Sequence, residues 1–348
     1  MFARTRARAE NPRAVPNLIC RSIVAGDVTA RFRRTRDRRQ IDRFSWSSWM
    51  TCHESRPRPV PARRKMLSGA AGAVAVLVGL LTCHAANADA SHTTSAPIVA
   101  LGFDAQNHVL LKATAETLYR SADDGLHWTR IALPPGAHGR ISAMATTARQ
   151  AGLVYVGGPG LGVLRSGNDG RSWEGRNAGL PGRSVETVAV HADQADTVYV
   201  YVAGRGIFRS RQGGLNWRLM DRGPREAILQ LIHSNMPGSM QTGWLFAATA
   251  SGVRRSMDCF CGWRNAGGLD GKVNAVAYDP RQPQQIYAAT GKEILLSSNG
   301  GEQWTRLNAP GPALTALLVT PDGVLYAAGG AAVYRSRDHA GTWERLDG

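Results

Sequence analysis

Short runs of alternating apolar and polar residues, punctuated by Gly, Pro, Asp and Asn, fill the chain from about residue 97 onwards. In one unit the runs cover residues 185–191, 197–202, 206–210 and 217–220. A period of two with β-branched and aromatic residues predicts strands. The second run has equivalents at 153–156, 286–288 and 325–327. The pattern predicts four short strands per unit, with residues 225–233 as the one stretch that could form a helical turn.

An eight-residue segment, here called the box, recurs six times, and successive copies begin 39 to 46 residues apart. Every copy starts with Ser and has Trp seven places later; the third position is Asp, Asn or Gln, and the fifth is Gly in four copies. A period of this size predicts a repeat architecture. The box residues are Ser121, Asp123, Gly125 and Trp128; Ser166, Asn168, Gly170 and Trp173; Ser210, Gln212, Gly214 and Trp217; Ser256, Asp258 and Trp263; Ser297, Asn299, Gly301 and Trp304; Ser336, Asp338 and Trp343.

The box has the composition of a turn. An Asp or Asn side chain can accept hydrogen bonds from backbone N–H groups two residues on. A Gly two positions later can take a positive φ without a Cβ clash, and the Trp can cover the turn with an apolar face. We therefore expect each box to join the third and fourth strands of its unit.

Six units of four strands predict an all-β fold, a six-bladed β-propeller of four-stranded antiparallel blades. The first unit opens on an inner strand at 98–103, and the last closes on an outer strand at 343–346. Each blade is therefore predicted to come from contiguous sequence, without an exchanged strand.

The box resembles the Asp-box, or BNR repeat, of sialidases, xyloglucanase-type glycoside hydrolases, sortilin-type receptor domains and photosystem II assembly-factor propellers. The resemblance covers about residues 97–348. It implies a propeller in which the boxes are structural and lie away from the binding site. It does not select a function, because the same box occurs in enzymes and non-enzymes.

The leader differs from the repeats in charge. Of the 42 Lys and Arg, 17 lie in residues 1–90, against 6 of the 26 Asp and Glu. The sequence pI near 10.5 is therefore mostly a property of the leader, and it does not indicate nucleic-acid binding by the repeat domain. Residues 1–62 are interpreted as a basic leader, disordered or, up to residue 49, untranslated; the alternative is a basic arm at 31–43 that binds nucleic acid.

Residues 63–90 have the parts of an export signal peptide. Arg63, Arg64 and Lys65 precede an uncharged stretch at 66–81, and small residues follow at 88–90. The paired arginines resemble a twin-arginine signal. The apolar run is short for a membrane span, although an uncleaved anchor remains the alternative. We expect residues 91–348 to be exported to the periplasm or secreted, with no stable membrane span after cleavage.

No catalytic residue, cofactor or metal site is predicted. The Arg-Ile-Pro signature usual in sialidases is absent between residues 91 and 121, and Tyr201 and Tyr278 have no acidic partner that the sequence assigns. His138, His191 and His233 are scattered singly. A xyloglucanase-type enzyme needs two opposed carboxylates, and the spacing of the loop candidates singles out no pair: Glu116, Glu186, Asp221, Glu226, Asp270 and Glu293.

The paired cysteines also lack a metal-site pattern. Cys259 and Cys261 have no two further ligands at zinc spacing. They either form a local disulfide or, as is more common for such a pair, pack as two thiols.

Basic residues recur just before the predicted inner strands. Arg140, Arg183, Arg225 and Lys272 end four successive linkers, while Arg205 and Lys292 lie in second-to-third-strand turns. We expect these six residues to share the face opposite the boxes, where they could hold a carboxylate, a sulfate or an acidic peptide. The alternative is a set of solvated residues offset by neighbouring carboxylates.

The sequence therefore favours an exported, non-enzymatic binding or assembly scaffold. Its expected partner is a protein segment or an anionic glycan on the linker face. The alternatives are a glycoside hydrolase of the sialidase or xyloglucanase type and a sortilin-like peptide binder.

Overall fold

The computed structural model describes residues 96–346 except residue 312. Within this part the chain forms 24 strands in six four-stranded antiparallel sheets, and no helix is present. In particular, no described segment is a helix that could span a membrane. The interpretations of residues 1–62 and 63–90 lie outside the described residues.

The strands of each sheet follow one another along the chain. Blade 1 contains β1 (Ile98–Asp104), β2 (Val109–Thr114), β3 (Leu118–Ser121) and β4 (Thr129–Ile131); blade 2 contains β5 (Ala143–Thr146), β6 (Val154–Gly158), β7 (Gly162–Ser166) and β8 (Glu174–Gly175); blade 3 contains β9 (Val185–Val190), β10 (Val198–Val202), β11 (Gly206–Ser210) and β12 (Arg218–Asp221). Blade 4 contains β13 (Ile228–Ser234), β14 (Trp244–Thr249), β15 (Gly252–Met257) and β16 (Arg264–Asn265); blade 5 contains β17 (Ala275–Asp279), β18 (Gln282–Ala289), β19 (Ile294–Ser297) and β20 (Thr305–Leu307); blade 6 contains β21 (Leu314–Val319), β22 (Leu325–Gly329), β23 (Ala332–Ser336) and β24 (Glu344–Arg345).

The six blades form a closed ring, a β-propeller, as the sequence predicted. Each inner strand contacts the inner strands of the two neighbouring blades, and β21 contacts β1. The ring closes by hydrogen bonds, because Ile98 N donates to Gly330 O at 2.8 Å and Thr315 Oγ1 donates to Ile98 O at 2.6 Å. No strand is exchanged between blades, which confirms the prediction of contiguous blades.

The core consists of six apolar clusters, one at each interface between neighbouring blades. The second strand of each unit supplies much of this packing. Tyr155, Tyr199 and Tyr287 are almost fully buried there, where aromatic rings contribute large apolar areas. The propeller is therefore held by blade-to-blade packing around the whole ring.

The expectation of a helical turn at 225–233 is wrong. Residues Ile228–Ser234 form β13, the inner strand of blade 4, and pair with β14. Ile228 and Leu231 are each about 1% exposed, because the inner-strand position buries them between blades 3 and 4. This tertiary packing overrides the local preference of the segment.

The antiparallel order gives the ring two different faces. The box face carries the turns from first to second strand and the boxes themselves. The linker face carries the turns from second to third strand and the linkers between blades.

Candidate functional site

The box is a turn in which the side chains of the first and third positions form hydrogen bonds with the backbone and with each other. In the second box, Ser166 Oγ accepts from Gly170 N at 2.8 Å and donates to Asn168 Oδ1 at 3.0 Å. Asn168 Oδ1 also accepts from Ser172 N at 2.9 Å. The backbone N–H bound by this side chain lies four residues on, not two as expected, because the Ser166 hydroxyl already accepts from the nearer amide, Gly170 N.

The same arrangement recurs elsewhere. Ser121, Ser297 and Ser336 each accept from the backbone N–H four residues on at 2.8 Å. Hydrogen bonds from the Ser121 hydroxyl and from the His127 backbone hold the pKa of Asp123 well below its usual range. These geometries give the boxes a structural role.

In blades 2 to 6 the box Trp side chain hydrogen-bonds to the preceding blade, whereas Trp128 Nε1 in blade 1 has no hydrogen-bond partner among the described residues. Trp173 Nε1 donates to Ala132 O at 3.1 Å, and Trp217 Nε1 donates to Arg176 O at 2.7 Å. Trp304 and Trp343 make equivalent bonds. Five of the six box Trp residues are only partly buried, so they close the edges of the interfaces and are not central core residues.

The fourth box departs from this pattern. Cys259 and Cys261 form a disulfide within it, so the interpretation as two packed thiols is wrong. Asp258 turns away from the box and accepts from the Thr242 hydroxyl at 2.5 Å and from Thr242 N at 3.1 Å. This box therefore contributes its carboxylate to a different cluster.

That cluster joins two histidines that the sequence separates by 42 residues. The rings of His191 and His233 stack at 3.9 Å between blades 3 and 4, and His233 Nε2 lies 3.6 Å from Asp258 Oδ2. All three residues are at most 2% exposed. The description of the histidines as scattered singly is therefore wrong for His191 and His233, because the ends of two adjacent inner strands bring them together.

The cluster has the side-chain types of a metal site, but its two histidines are not in the tautomer that could bind an ion. The Nδ1 atoms of His191 and His233 accept from the backbone N–H groups of Asp193 and Ala192 at 3.0 and 3.1 Å. A ring whose Nδ1 accepts a hydrogen bond carries its proton on Nε2. This atom lies 2.7 Å from Thr242 Oγ1 in His191 and 3.6 Å from Asp258 Oδ2 in His233. A metal ligand needs a free lone pair on that nitrogen, so the cluster does not fit a metal ion.

The cluster is instead a buried pair of stacked imidazole rings beside a carboxylate. Burial, followed by repulsion from His233, lowers the pKa of His191 to about 4. Burial raises the pKa of Asp258, but the interactions with His233 and Thr242 outweigh it and lower the pKa to about 2. His191 is thus uncharged and Asp258 is ionised near neutral pH.

The six basic residues singled out in the sequence lie in the turns and linkers of the linker face. All are exposed, and none forms an ion pair within the described part of the chain. We call this set the cationic rim: Arg140, Arg183, Arg205, Arg225, Lys272 and Lys292.

Several carboxylates on the linker face are already engaged. Glu226 lies 2.5 Å from Arg254, and Glu293 lies 3.2 Å from Arg306. Asp221 accepts from Gly223 N at 2.6 Å and from Trp263 Nε1 at 2.8 Å. These contacts give three of the six loop carboxylates hydrogen-bond or ion-pair partners outside the cationic rim.

A cavity of about 340 Å³ lies in the centre of the ring at the box-face end. All six inner strands line it. At that end each inner strand reaches a buried polar residue that caps the following turn: Asp104, Thr147, His191, Ser234, Asp279 and Thr320. The sequence analysis placed the ligand site on the opposite face and did not find this cavity.

No protein-family model and no curated protein matches this chain. Among solved structures, a GH74 enzyme from Niastella koreensis is similar over 72% of this chain and 47% of its own, with 17% identity and a TM-score of 0.50. YCF48 bound to a D1 peptide is similar over 72% of this chain and 82% of its own, with 20% identity and a TM-score of 0.48.

An ancestral GH74 enzyme matches at 24% identity over 62% of this chain and 32% of its own, with a TM-score of 0.47. The chain thus spans less than half the length of these two GH74 enzymes. At such identities the similarity concerns the β-propeller fold alone.

Proposed function

We propose that the protein is an exported, non-enzymatic β-propeller that binds an acidic segment of a partner protein through the cationic rim. The observation that carries this proposal is the imbalance of free charge on the linker face. Six exposed cations have no ion pair among the described residues. Three of the six loop carboxylates are held by partners outside the rim, which leaves three carboxylates of the described chain without an ion pair on this face: Glu116, Glu186 and Asp270. Several cations around one anion give charge-assisted hydrogen bonds, which are about twice as strong as neutral ones.

The rim geometry suits an extended acidic chain better than a single small anion. The rim residues come from linkers and turns of different blades, so they lie around a ring and not in one pocket. Arginine offers a planar, bidentate donor that matches a carboxylate. A protein segment with several Asp or Glu residues could engage successive rim positions, and a sulfated glycan is the competing ligand.

The first prediction tests the rim with a fluorescent poly-glutamate peptide and with heparin fragments. We expect the peptide to bind more tightly and its affinity to fall steeply with salt, because exposed charges are screened. The double variant Arg140→Ala/Arg183→Ala should weaken peptide binding by about fivefold or more, since each exposed pair contributes about 0–1 kcal/mol. Thermal stability should stay nearly unchanged because both side chains are exposed.

The matched control removes two exposed arginines from the box face, Arg171→Ala/Arg211→Ala. It lowers the net charge equally and should leave peptide affinity unaltered. Equal losses in both double variants would reduce the proposal to non-specific attraction by net charge. Tighter binding of heparin would replace the protein partner by a glycan.

The glycoside hydrolase alternative gains no specific support. Three of its six candidate carboxylates are held by protein partners, namely Asp221, Glu226 and Glu293. Turnover of a fluorogenic sialoside or of xyloglucan, abolished by one loop substitution, would overturn the non-enzymatic reading.

Export is part of the proposal and rests on residues 63–90. The second prediction is a mature N-terminus near Ser91, because small residues at 88–90 follow the apolar stretch. Mass spectrometry of the protein recovered outside the cytoplasm tests this. A folded product that retains residues upstream of Met50 would contradict it.

A further inference from the structure

The cavity at the box-face end of the ring is built from repeated positions on the six inner strands. Three residues before each cap stands a buried apolar side chain: Leu101, Met144, Val188, Leu231, Val276 and Leu317. This tier gives the cavity a ring of apolar side chains, beside which Thr146 and Gln230 also line it. An apolar wall with a few placed polar groups is typical of small-molecule sites.

The next tier leaves the cavity open. Two residues before the cap, four blades carry only small residues, which are Gly102, Ala145, Ala189 and Ala277. Ile232 and Leu318 occupy the same position in the other two blades. The fold therefore accepts a large aliphatic side chain at this position, and the small side chains of Ala145, Ala189 and Ala277 line the cavity of about 340 Å³.

The polar groups of the cavity mouth lie on one arc and break the repeat. Blades 2 to 5 contribute Arg149, Asp193, Asn235 and Tyr278, while Pro321 and Ala105 complete the mouth on blades 6 and 1. Arg149 pairs with Asp193, so the two charges neutralise each other. One side of the mouth is therefore polar but carries no net charge.

Two of these side chains have unused hydrogen-bonding capacity. Asn235 donates to Asp193 Oδ1 at 3.2 Å, but its own Oδ1 is buried without a hydrogen-bond partner. Tyr278 has no hydrogen bond to the described residues, and burial raises its pKa to about 12, so the hydroxyl keeps its proton. A buried acceptor without a partner costs about 1–3 kcal/mol. A ligand that supplied a donor to Asn235 and an acceptor to Tyr278 would recover this cost.

We propose that this cavity binds a small amphipathic molecule with an apolar body and an uncharged head that both donates and accepts hydrogen bonds, such as a carboxamide. The body lies against the apolar tier. The head lies between Asn235 and Tyr278. The site is on the face opposite the cationic rim, so it is separate from the proposed partner site.

The test uses the full chain, N-phenyl-1-naphthylamine as a neutral fluorescent probe, and displacement by hexanamide, hexanoate and hexylammonium. We expect saturable binding of one probe per chain, and displacement by hexanamide at a concentration about tenfold lower than by either charged analogue. Ala145→Leu should abolish probe binding with an unchanged melting temperature, because Ile232 and Leu318 show that the fold accepts such a side chain there.

Two head-group variants keep the proposal testable if Ala145→Leu fails to fold. Asn235→Ala and Tyr278→Phe should each reduce the preference for hexanamide about fivefold, the loss expected for one hydrogen bond. Tyr334→Phe, which removes a hydroxyl outside the cavity, and Arg140→Ala/Arg183→Ala should change nothing. Absence of saturable binding, binding that survives Ala145→Leu in a folded protein, or a preference insensitive to both head-group variants would overturn the proposal.

Discussion

At the scale of single residues, a polar residue caps the turn after each inner strand, and in one blade this residue has a second role. Five of these caps are Asp, Ser or Thr, but in blade 3 the cap is His191, which also stacks on His233. Both rings present Nε2 to the buried Asp258 and Thr242. Among the six caps, the interface between blades 3 and 4 thus contains the one histidine.

This group predicts a pH dependence of stability. The pKa of His191 is about 4 in the folded chain and near 6.5 when unfolded. Between these values the unfolded chain takes up a proton that the folded chain does not, so stability falls as pH falls, by up to about 1.4 kcal/mol per pH unit. The contribution of Asp258 is lost only at lower pH, as its carboxylate is protonated from about 3.8 down to about 2.

The measurement is urea unfolding at pH 7 and pH 4.5 for the wild type and for His191→Asn. Asn keeps an acceptor for Asp193 N, so the turn remains capped while the titration is removed. The variant should lose less stability between the two pH values than the wild type. His138→Asn, at an exposed histidine, is the control. Identical pH slopes for His191→Asn and the wild type would exclude His191 as the source.

At the scale of elements, the fifth position of the box decides how closely blades approach. Gly170 has φ +80°, and an added Cβ would lie 2.6 Å from Ile131 Cγ2 in blade 1. The same position is taken by Ala340 with φ +71° and by Phe260 with φ +59°. Residues with a side chain therefore adopt a positive φ at this position in some boxes. In the second box, glycine is required because Ile131 lies too close to leave room for a Cβ.

Gly170→Ala should therefore destabilise the protein more than Gly136→Ala. Gly136 has a similar φ of +79° but no atom within 4 Å of an added Cβ. Left-handed backbone costs about 1–2 kcal/mol in both, and overpacking against Ile131 should add about 1–3 kcal/mol in the first alone. Chemical denaturation of the two variants measures the difference, and equal losses would show that Ile131 moves aside at no cost.

Much of the blade architecture was predictable from the sequence. The period of the boxes and the two-residue alternation predict the blade number, the strand order and the third unit to within one or two residues, because both signals are local. The strand at Ile228–Ser234 was missed because its alternation is broken by Leu229, which is exposed. The cavity and the histidine cluster depend on which positions of different blades face each other, and a single repeat carries no such information.

One local signal for the cavity was nevertheless present. Each unit has a polar residue at the end of its inner strand, followed in five units by Ala or Pro and in blade 4 by Asn235. A polar residue at a position that is otherwise small breaks the repeat. Such exceptions in a repeat protein indicate a special role better than the repeated residues do.

At the scale of the whole molecule, contiguous blades make every interface equivalent in connectivity except the one between blades 6 and 1. That interface holds Ile98, Leu101 and Leu346 in one apolar cluster and is closed without a covalent connection. The chain should therefore still fold into the ring when its N- and C-termini are moved to another position. The loss of a blade, by contrast, would expose two apolar faces.

A circular permutant tests this. Residues 96–346 joined by a short Gly-Ser linker and opened at Gly136, an exposed position, should fold with an unchanged β-sheet circular dichroism spectrum. Deletion of blade 6, residues 314–346, should prevent cooperative unfolding, because the faces of blades 5 and 1 lose their partners. A folded, monomeric five-blade deletion would show that the ring adjusts its curvature.

The closing interface also sets the order of events during synthesis. The residues that pack against blade 1 belong to blade 6, which is synthesised after the other five blades, so the nascent chain carries an uncovered apolar blade face until blade 6 is complete. Such surface attracts chaperones and aggregates at high concentration. A machinery that translocated this chain would therefore encounter only two forms without an exposed apolar blade face. These are the unfolded chain, in which no blade has yet packed, and the closed ring.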